Sequence, residues 1–462
     1  MRSFKRFPEF FVRIVRPNYS AKEYKEALVG VFVPKTNPSD GESNDLLSYS
    51  YAESLRNPVG TFSLTLAPVY DRNNKTWVDK LSPRDIVIIS ELGAVRFVGY
   101  IESIRYSARI DSAGSVERSI LVSGKSISGL LSQMKVVLDK KLLPMQGDTA
   151  KTANEKLMHS LSQKMDKGMP LRGVIKDILN NFFEIIKATA IELSAGYGIL
   201  NVLNYYVDFD SEISTDVRFL YPMAFQIYLD GEQDLLSILN GIIAAPLHEL
   251  FFRWNREKQK IALVIRDTPF DPQNWINLTL HSVDPLVLTS FDVGKNDNEV
   301  RTYFGALVSG SGISLEMALV SPNIRQAFTV LEDKWNKYGY RPFFVDFKYF
   351  DKEKIREHVA DLMLDYSKKV KNWFGKMDEF YSGTIKLVTV DEKQNGLTYP
   401  RIGERVSFLG GEFYIEGTQR SWSYGQNMQT VLQVTRGYEY KNGHLWGEIK
   451  SIRQRIASVL EI

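Results

Sequence analysis

Apolar and polar residues alternate strictly in runs of the first part of this chain, and no other feature restricts its fold as much. In Thr61–Ala67, Phe62, Leu64 and Leu66 face one way and Thr61, Ser63 and Thr65 the other. Further on, Ile104, Tyr106, Ala108 and Ile110 share a face, with Arg105, Ser107 and Arg109 opposite. A period of two marks half-buried strands. Asp111-Ser-Ala-Gly114 supplies a turn, and Ser119–Ser123 returns as a strand ending at Gly124. Near the other end, Thr384–Val390, Arg405–Phe408, Glu412–Glu416 and Gln429–Thr435 are strand candidates. Asn395-Gly396, Gly410-Gly411 and Tyr424–Asn427 provide turns between them.

The two β regions read as distant copies. The first runs Asp85-x-Val87-x-Ile89, then Phe97, then Tyr106, then a strand closing at Gly124. The last runs Glu404-x-Val406-x-Phe408, then Phe413, then Trp422, then a strand closing at Arg436-Gly437. Unrelated β-meanders could also share such a pattern, so both readings stand at this point.

Between the two regions the period changes. Leu130, Leu131 and Met134 recur at helical spacing, as do Leu157, Leu161 and Met165, and a longer helix is predicted across Leu171–Ala188. Gln233–Ala245 reads as a buried helix. Glu249–Trp254 and Ile261–Arg266 read as a hairpin joined by the charged turn Asn255–Lys260. Ile355, Val359, Leu362, Tyr366, Val370, Trp373 and Met377 step by three or four residues and predict a long amphipathic helix over Lys352–Phe380. At the C-terminus, Leu445, Ile449, Ile452, Ile456 and Val459 are spaced 4, 3, 4, 3, which is an a/d seam with a period of about 3.5. Gly443 and Gly447 weaken its start, and a helix of about 15 residues needs a partner surface. That partner is either the chain's own domain or an assembly contact.

At about 100–200 residues per domain, 462 residues suggest about three domains. The division predicted is a β domain over 1–135, a helical segment over 136–204, a mixed α/β domain over 205–330, a long helix and second β domain over 331–440, and a C-terminal amphipathic helix over 441–462. The fold class is α+β and β-rich. With 58 Lys and Arg against 55 Asp and Glu, the net charge is +3, which argues against a chain-wide nucleic-acid or anionic-membrane footprint. No cysteine is present, which removes disulfides, thiolate metal sites and cysteine nucleophiles. The segment Met1–Pro17 has no unbroken apolar stretch, so no secretory signal is expected. The most apolar window, Leu235–Phe252, carries Asn240, Pro246, His248 and Glu249, so no membrane anchoring is expected.

A search for chemistry finds little. The five histidines show no zinc-peptidase spacing. His248-Glu249 is read as a core or interface pair rather than a catalytic one. Ser123-Gly124-Lys125-Ser126 resembles the end of a phosphate-cradling loop, but Ser119 stands where that loop needs a glycine. Ser309-Gly310-Ser311-Gly312 and Gly196-Tyr-Gly198 are read as turns. Asp378 and Glu379 at the end of the long helix are read as a solvated face. No catalytic residue, no cofactor and no metal site is predicted.

Two stretches carry a family resemblance. One is the run Asn57–Ala67, then Trp77-x-x-x-Leu81-x-x-x-Asp85-x-Val87-x-Ile89, Gly99-Tyr-Ile101-x-x-Ile104 and Arg118-x-x-x-Val122-x-Gly124. The other is Glu412-Phe-Tyr-Ile415, then Trp422, then Gln429-Thr-Val-Leu432-x-Val434-x-Arg436-Gly437. Together they resemble the central baseplate hub proteins of contractile phage tails, phage-tail-like bacteriocins and related contractile injection systems. The resemblance spans most of the chain and is loosest over 136–330. It implies two tube-like antiparallel β-barrels near the two ends of the chain. It further implies a homotrimeric ring of pseudo-sixfold symmetry that joins a hexameric tail tube to a trimeric central spike, with surrounding baseplate or wedge proteins as further partners. DNA would pass through the channel without specific binding, and the particle would assemble in the host cytoplasm. The role implied is structural, not enzymatic. On this reading the C-terminal seam of Leu445, Ile449, Ile452, Ile456 and Val459 docks the spike or forms a trimer helix. A tail-associated cell-wall hydrolase and a secreted carbohydrate-binding β-protein are the alternatives.

Overall fold

In a computed structural model, the described residues are 9–35, 38–110, 116–137, 171–192, 195–213, 232–243, 245–283, 287–308, 328–347, 364–388, 400–408, 411–441 and 444–447. The first β region forms β1 (Phe10–Pro17), β2 (Glu26–Phe32), β3 (Glu42–Ser43), β4 (Leu46–Ser54), β5 (Thr61–Leu66), β6 (Ile86–Glu91), β7 (Ala94–Ile110) and β8 (Val116–Ser126). Alternation sets the faces as expected: Phe62, Leu64 and Leu66 of β5 are buried, with Thr61 and Ser63 exposed. Before β6, Asp85 is a buried acid that accepts from Ser82 N at 2.8 Å and from Arg16 Nε at 2.8 Å. Gly124 pairs with Ile101 of β7 on one side and Phe62 of β5 on the other, beside the β7 bulge. A Cβ there would stand 1.9 Å from Tyr100 O, so the Ser-Gly-Lys-Ser run is a close approach of paired strands.

The middle of the chain supplies β9 (Lys135–Val137), the helix α1 (Leu171–Glu192), α2 (Ile199–Tyr206), β10 (Val207–Ile213), β11 (Glu232–Asp234), α3 (Leu235–Ile242), β12 (His248–Asn255) and β13 (Lys260–Asp267). α3 starts where Asp234 caps it, accepting from Ser237 N at 2.9 Å. The β12–β13 hairpin falls where the charged turn placed it. Leu179, Leu203, Leu239 and Leu263 from this region meet in one apolar core with Tyr100 of the first β region.

β14 (Leu280–Ser282) and β15 (Leu288–Gly294) follow, then a separate three-stranded sheet of β16 (Tyr303–Val308), β17 (Thr329–Val330) and β18 (Pro342–Phe347). The predicted long helix is described only over 364–374, and 351–363 lie outside the described residues. The final β region is β19 (Tyr381–Val388), β20 (Arg405–Phe408), β21 (Gly411–Ser423), β22 (Gln429–Lys441) and β23 (His444–Gly447). No helix among the described residues is long and apolar enough to cross a membrane.

The β-rich α+β class holds, with one difference from the expected architecture. The strands of the two end regions form one continuous fifteen-stranded sheet rather than two separate units, and its path runs open from β15 to β3 without closing a barrel among the described residues. Within that sheet the two regions repeat each other. The first follows the order β4-β5-β8-β7-β6-β1 and the second β15-β19-β22-β21-β20-β14. The irregularities repeat too. β4 against β5 shifts between Leu46 and Ser48, and β15 against β19 shifts between Leu288 and Ser290. β7 against β8 shifts between Ile101 and Ser103, and β21 against β22 shifts between Ile415 and Gly417. The copies differ at one end: β1 meets β6 antiparallel, whereas β14 meets β20 parallel.

The strand register corrects the alignment read from the sequence. Ile86 pairs with Tyr100, and Arg405 with Tyr414. The equivalent residues are therefore Tyr100-Ile101-Glu102 and Tyr414-Ile415-Glu416, an identical tripeptide at the bulge. Phe97 and Tyr106 are not the counterparts of Phe413 and Trp422. Glu102 and Glu416 fall at the two bulges.

Candidate assembly surface

The two copies are joined by β4 and the distal half of β21. Seven residue pairs run antiparallel from Gly417↔Ser54 to Ser423↔Ser48. The bulge at Ile415–Gly417 lets β21 leave β20 and meet β4. Trp422 then enters the first region's core, with ring centroids 4.6 Å from Phe10 and 6.2 Å from Tyr49. Arg420, opposite Tyr51, is buried; its Nη2 donates to Pro400 O at 2.9 Å and its Nη1 to Thr430 Oγ1 at 3.2 Å. Opposite Thr418, the Glu53 carboxyl is pushed up to about 7 by burial, against the pull of Arg420 and Arg401.

The equivalent strand in the first region has no such paired neighbour among the described residues. β7 pairs with β6 only as far as Tyr100, and beyond it β7 continues as an arm along β8; β8 itself keeps β5 as far as Ile120, so only the part past Tyr106 and Ile120 is two-stranded. Directly opposed antiparallel residues carry their side chains on one face. One face of the arm therefore holds Ile104 with Val122, Tyr106 with Ile120, Ala108 with Arg118, and Ile110 with Val116. The predicted alternation is present, but the distal part is not half-buried: Tyr106 is 45% exposed, Val116 54% and Ile110 74%. In β21 the matching positions Thr418, Arg420 and Trp422 are buried against the other copy. The second copy in turn leaves β15, the counterpart of β4, bonded only to β19 among the described residues, with its other edge unpaired there. Its Phe291 packs on Phe408 at 4.9 Å, and Asp292 is exposed.

Of the predicted partner-binding residues, Leu445 lies in β23, paired to β22 through Lys441↔His444 and Glu439↔Gly447, and not in a helix. Its backbone continues the sheet, which overrides the 4, 3, 4, 3 pattern at that point. Ile449, Ile452, Ile456 and Val459 lie outside the described residues. The exposed arm and the β15 edge were not singled out from sequence. The signal was available in Ile104, Tyr106, Ala108 and Ile110, but period alone does not say what covers a face.

The tempting chemical residues are committed to structure. His248 Nε2 lies 3.3 Å from Asp267, and Glu249 accepts from Tyr414 Oη at 2.6 Å and from Arg266 at 3.0 Å. Lys334 bridges Asp378 and Glu379, with Tyr338 Oη donating to Asp378 at 3.1 Å, so that pair ties a short helix to the chain. An open cleft of about 610 Å³ lies between the first β region, the middle and the second β region. Its carboxylates are all engaged: Glu249 as above, and Glu299 and Glu416 with Arg56 at 2.6 and 3.0 Å. A buried His281–Glu404 pair at 2.5 Å completes the polar interior. Burial pushes the Glu404 carboxyl up, but the His281 hydrogen bond and the nearby Arg401 and Arg253 hold it below its ordinary range. Among the described residues no group of three or more His, Asp or Glu side chains could hold a metal ion.

No family model matches the chain, and no curated protein matches it. Several solved structures are similar. One is the tail protein from Neisseria meningitidis MC58, 13% identical, covering 95% of this chain and 98% of that one with a TM-score of 0.45. Another is the 43 kDa tail protein of prophage MuSo2 from Shewanella oneidensis, 12% identical, covering 93% and 98% with a TM-score of 0.44. A third is the lidded Francisella PdpA-VgrG complex, 10% identical, covering 93% of this chain and 53% of that one with a TM-score of 0.41.

Proposed function

We propose that this chain is a structural hub subunit of a contractile tail baseplate. Three copies form a ring of six similar modules between a hexameric tail tube and a trimeric central spike. The observation that carries this reading is the internal repeat: two six-stranded stretches of one sheet in matched order, with bulges at matched positions. Two similar modules per chain let three chains present six similar positions on one side while keeping a true threefold axis for the other. Two tube-like barrels per chain would be completed by neighbours in the ring, because each sheet is open within one chain.

The surface chemistry supports assembly over catalysis. The first copy of the module ends in an exposed apolar arm, and the carboxylates of the cleft are engaged by partners. Sheets with open, apolar edges are a liability unless another strand covers them. The tube on one face, the spike on the other and the wedge proteins outside are the partners this role requires. Mass measurement with negative-stain imaging of the purified chain tests it. The expected result is a trimer of 52.9 kDa subunits appearing as a threefold ring with a central hole. A particle that remains monomeric at every concentration would overturn the reading.

A further inference from the structure

The repeat makes one half of a contact inside the chain and leaves its counterpart open. From this we infer that β7 of one copy pairs antiparallel with β15 of the next copy, in the register that β21 makes with β4. This rests on the hub reading above and deepens it by naming the two strands that close the ring.

The equivalences come from the strand registers themselves. Ile86↔Tyr100 matches Arg405↔Tyr414, so Tyr100 corresponds to Tyr414 and, along the strand, Tyr106 to Arg420 and Ala108 to Trp422. On the other side, Leu64 pairs with both Tyr49 and Val122, and Ile385 pairs with both Phe291 and Leu432. Tyr49 therefore corresponds to Phe291 and Tyr51 to Val293. Within the chain, Trp422 faces Tyr49, Ser421 faces Ser50 and Arg420 faces Tyr51. Between copies, Ala108 then faces Phe291, Ser107 faces Asp292 and Tyr106 faces Val293.

The side chains fit that register. The arm face that would be covered is the apolar one, carrying Ile104, Tyr106 and Ala108, and in β21 the same positions are buried by β4. It would meet the half-buried Phe291 and Val293 of β15. On the opposite face, Asp292 would stand directly across from Ser107, with Arg105 and Arg109 on its two diagonals. Diagonal neighbours lie about 7–8 Å apart, within reach of an arginine. The two seams are not identical. Ala108 takes the place of Trp422, so the contact between copies inserts no indole into the neighbouring core.

The chain has no cysteine, so engineered pairs read out cleanly. Residues directly opposed across antiparallel strands can be bridged by a disulfide. Ser107→Cys combined with Asp292→Cys should give covalent oligomers up to the trimer on a non-reducing gel, and either substitution alone should not. Ser50→Cys with Ser421→Cys is the control, closing the same geometry inside one chain without changing its mass. Ser107→Cys with Val293→Cys is displaced by one residue and puts the thiols on opposite faces, so it should stay unlinked. A protein that is trimeric by mass, closes the control pair and yet leaves S107C/D292C unlinked overturns this pairing while the hub reading survives. Linkage of the displaced pair overturns the register. A chain that is monomeric throughout overturns both.

Discussion

Glu53 sits on the seam between the two copies, opposite Thr418 and close to the guanidiniums of Arg420 and Arg401. Burial raises its carboxyl from 4.5 to about 7, so the folded chain prefers it neutral. The stability it contributes is present below about pH 4.5 and is lost as pH rises through about 7. Glu53→Gln should therefore gain melting temperature relative to the parent as pH increases across that window, and thermal scans over a pH series would show it; parallel curves would refute it. Arg436 poses a different problem. Its backbone adopts φ 56°, a left-handed conformation unusual for arginine. Its guanidinium lies 3.5 Å from the centroid of Phe270 and 4.8 Å from that of Phe374, and burial lowers its pKa to about 10, so it stays charged near neutrality. A lysine cannot stack a planar cation on both rings, so Arg436→Lys should cost about 1–2 kcal/mol in chemical denaturation. At Gly124 the limit is steric. Gly124→Ala should cost about 3 kcal/mol, since its Cβ has no room beside Tyr100 O and Phe62.

Among the elements, the β7–β8 arm separates folding from assembly. Tyr106 and Ile120 are directly opposed, so residues 107–119 can be replaced by a two-residue Asn-Gly turn that suits a hairpin. The shortened chain should fold with a melting temperature within about 2 °C of the parent, because the removed part contributes little to the core. It should also fail to form trimers, which light scattering would detect. β5 and β20 were legible from their periods, because one face of each meets a core made by the same chain; β13, buried on both faces from Ile261 to Ile265, was legible from the charged turn before it. β7 was legible as a strand but not as an arm, since Ile104, Tyr106, Ala108 and Ile110 alternate identically whether they face a core or open solvent. The pattern from Leu445 met a different limit at its glycine-weakened start, and Ile449 to Val459 lie outside the described residues. Backbone pairing with β22 settles His444–Gly447 as a strand, and no local spacing reveals that an adjacent edge is waiting. The repeat was visible in outline, but its true register depended on two bulges, where the shared Tyr-Ile-Glu was the better guide than the spacing of aromatic residues.

For the whole molecule, the continuous sheet means that the two ends of the sequence are one structural unit. Trp422 lies more than 300 positions from Phe10 and Tyr49 in the chain, yet all three share one core. Removing the C-terminal β region should therefore destabilise the N-terminal one, and Trp422→Ala should cost about 3–5 kcal/mol and loosen amide protection along β4 as well as β21. Because the β4–β21 contact lies within a single polypeptide, dilution cannot separate its halves; tethering keeps them at high effective concentration. A six-membered collar assembled from such tandem units would need two diffusional encounters where six free pieces would need five, and each avoided encounter spares the loss of a body's translational and rotational freedom. Disassembly would likewise release intact pairs, giving the proposed collar a built-in smallest part.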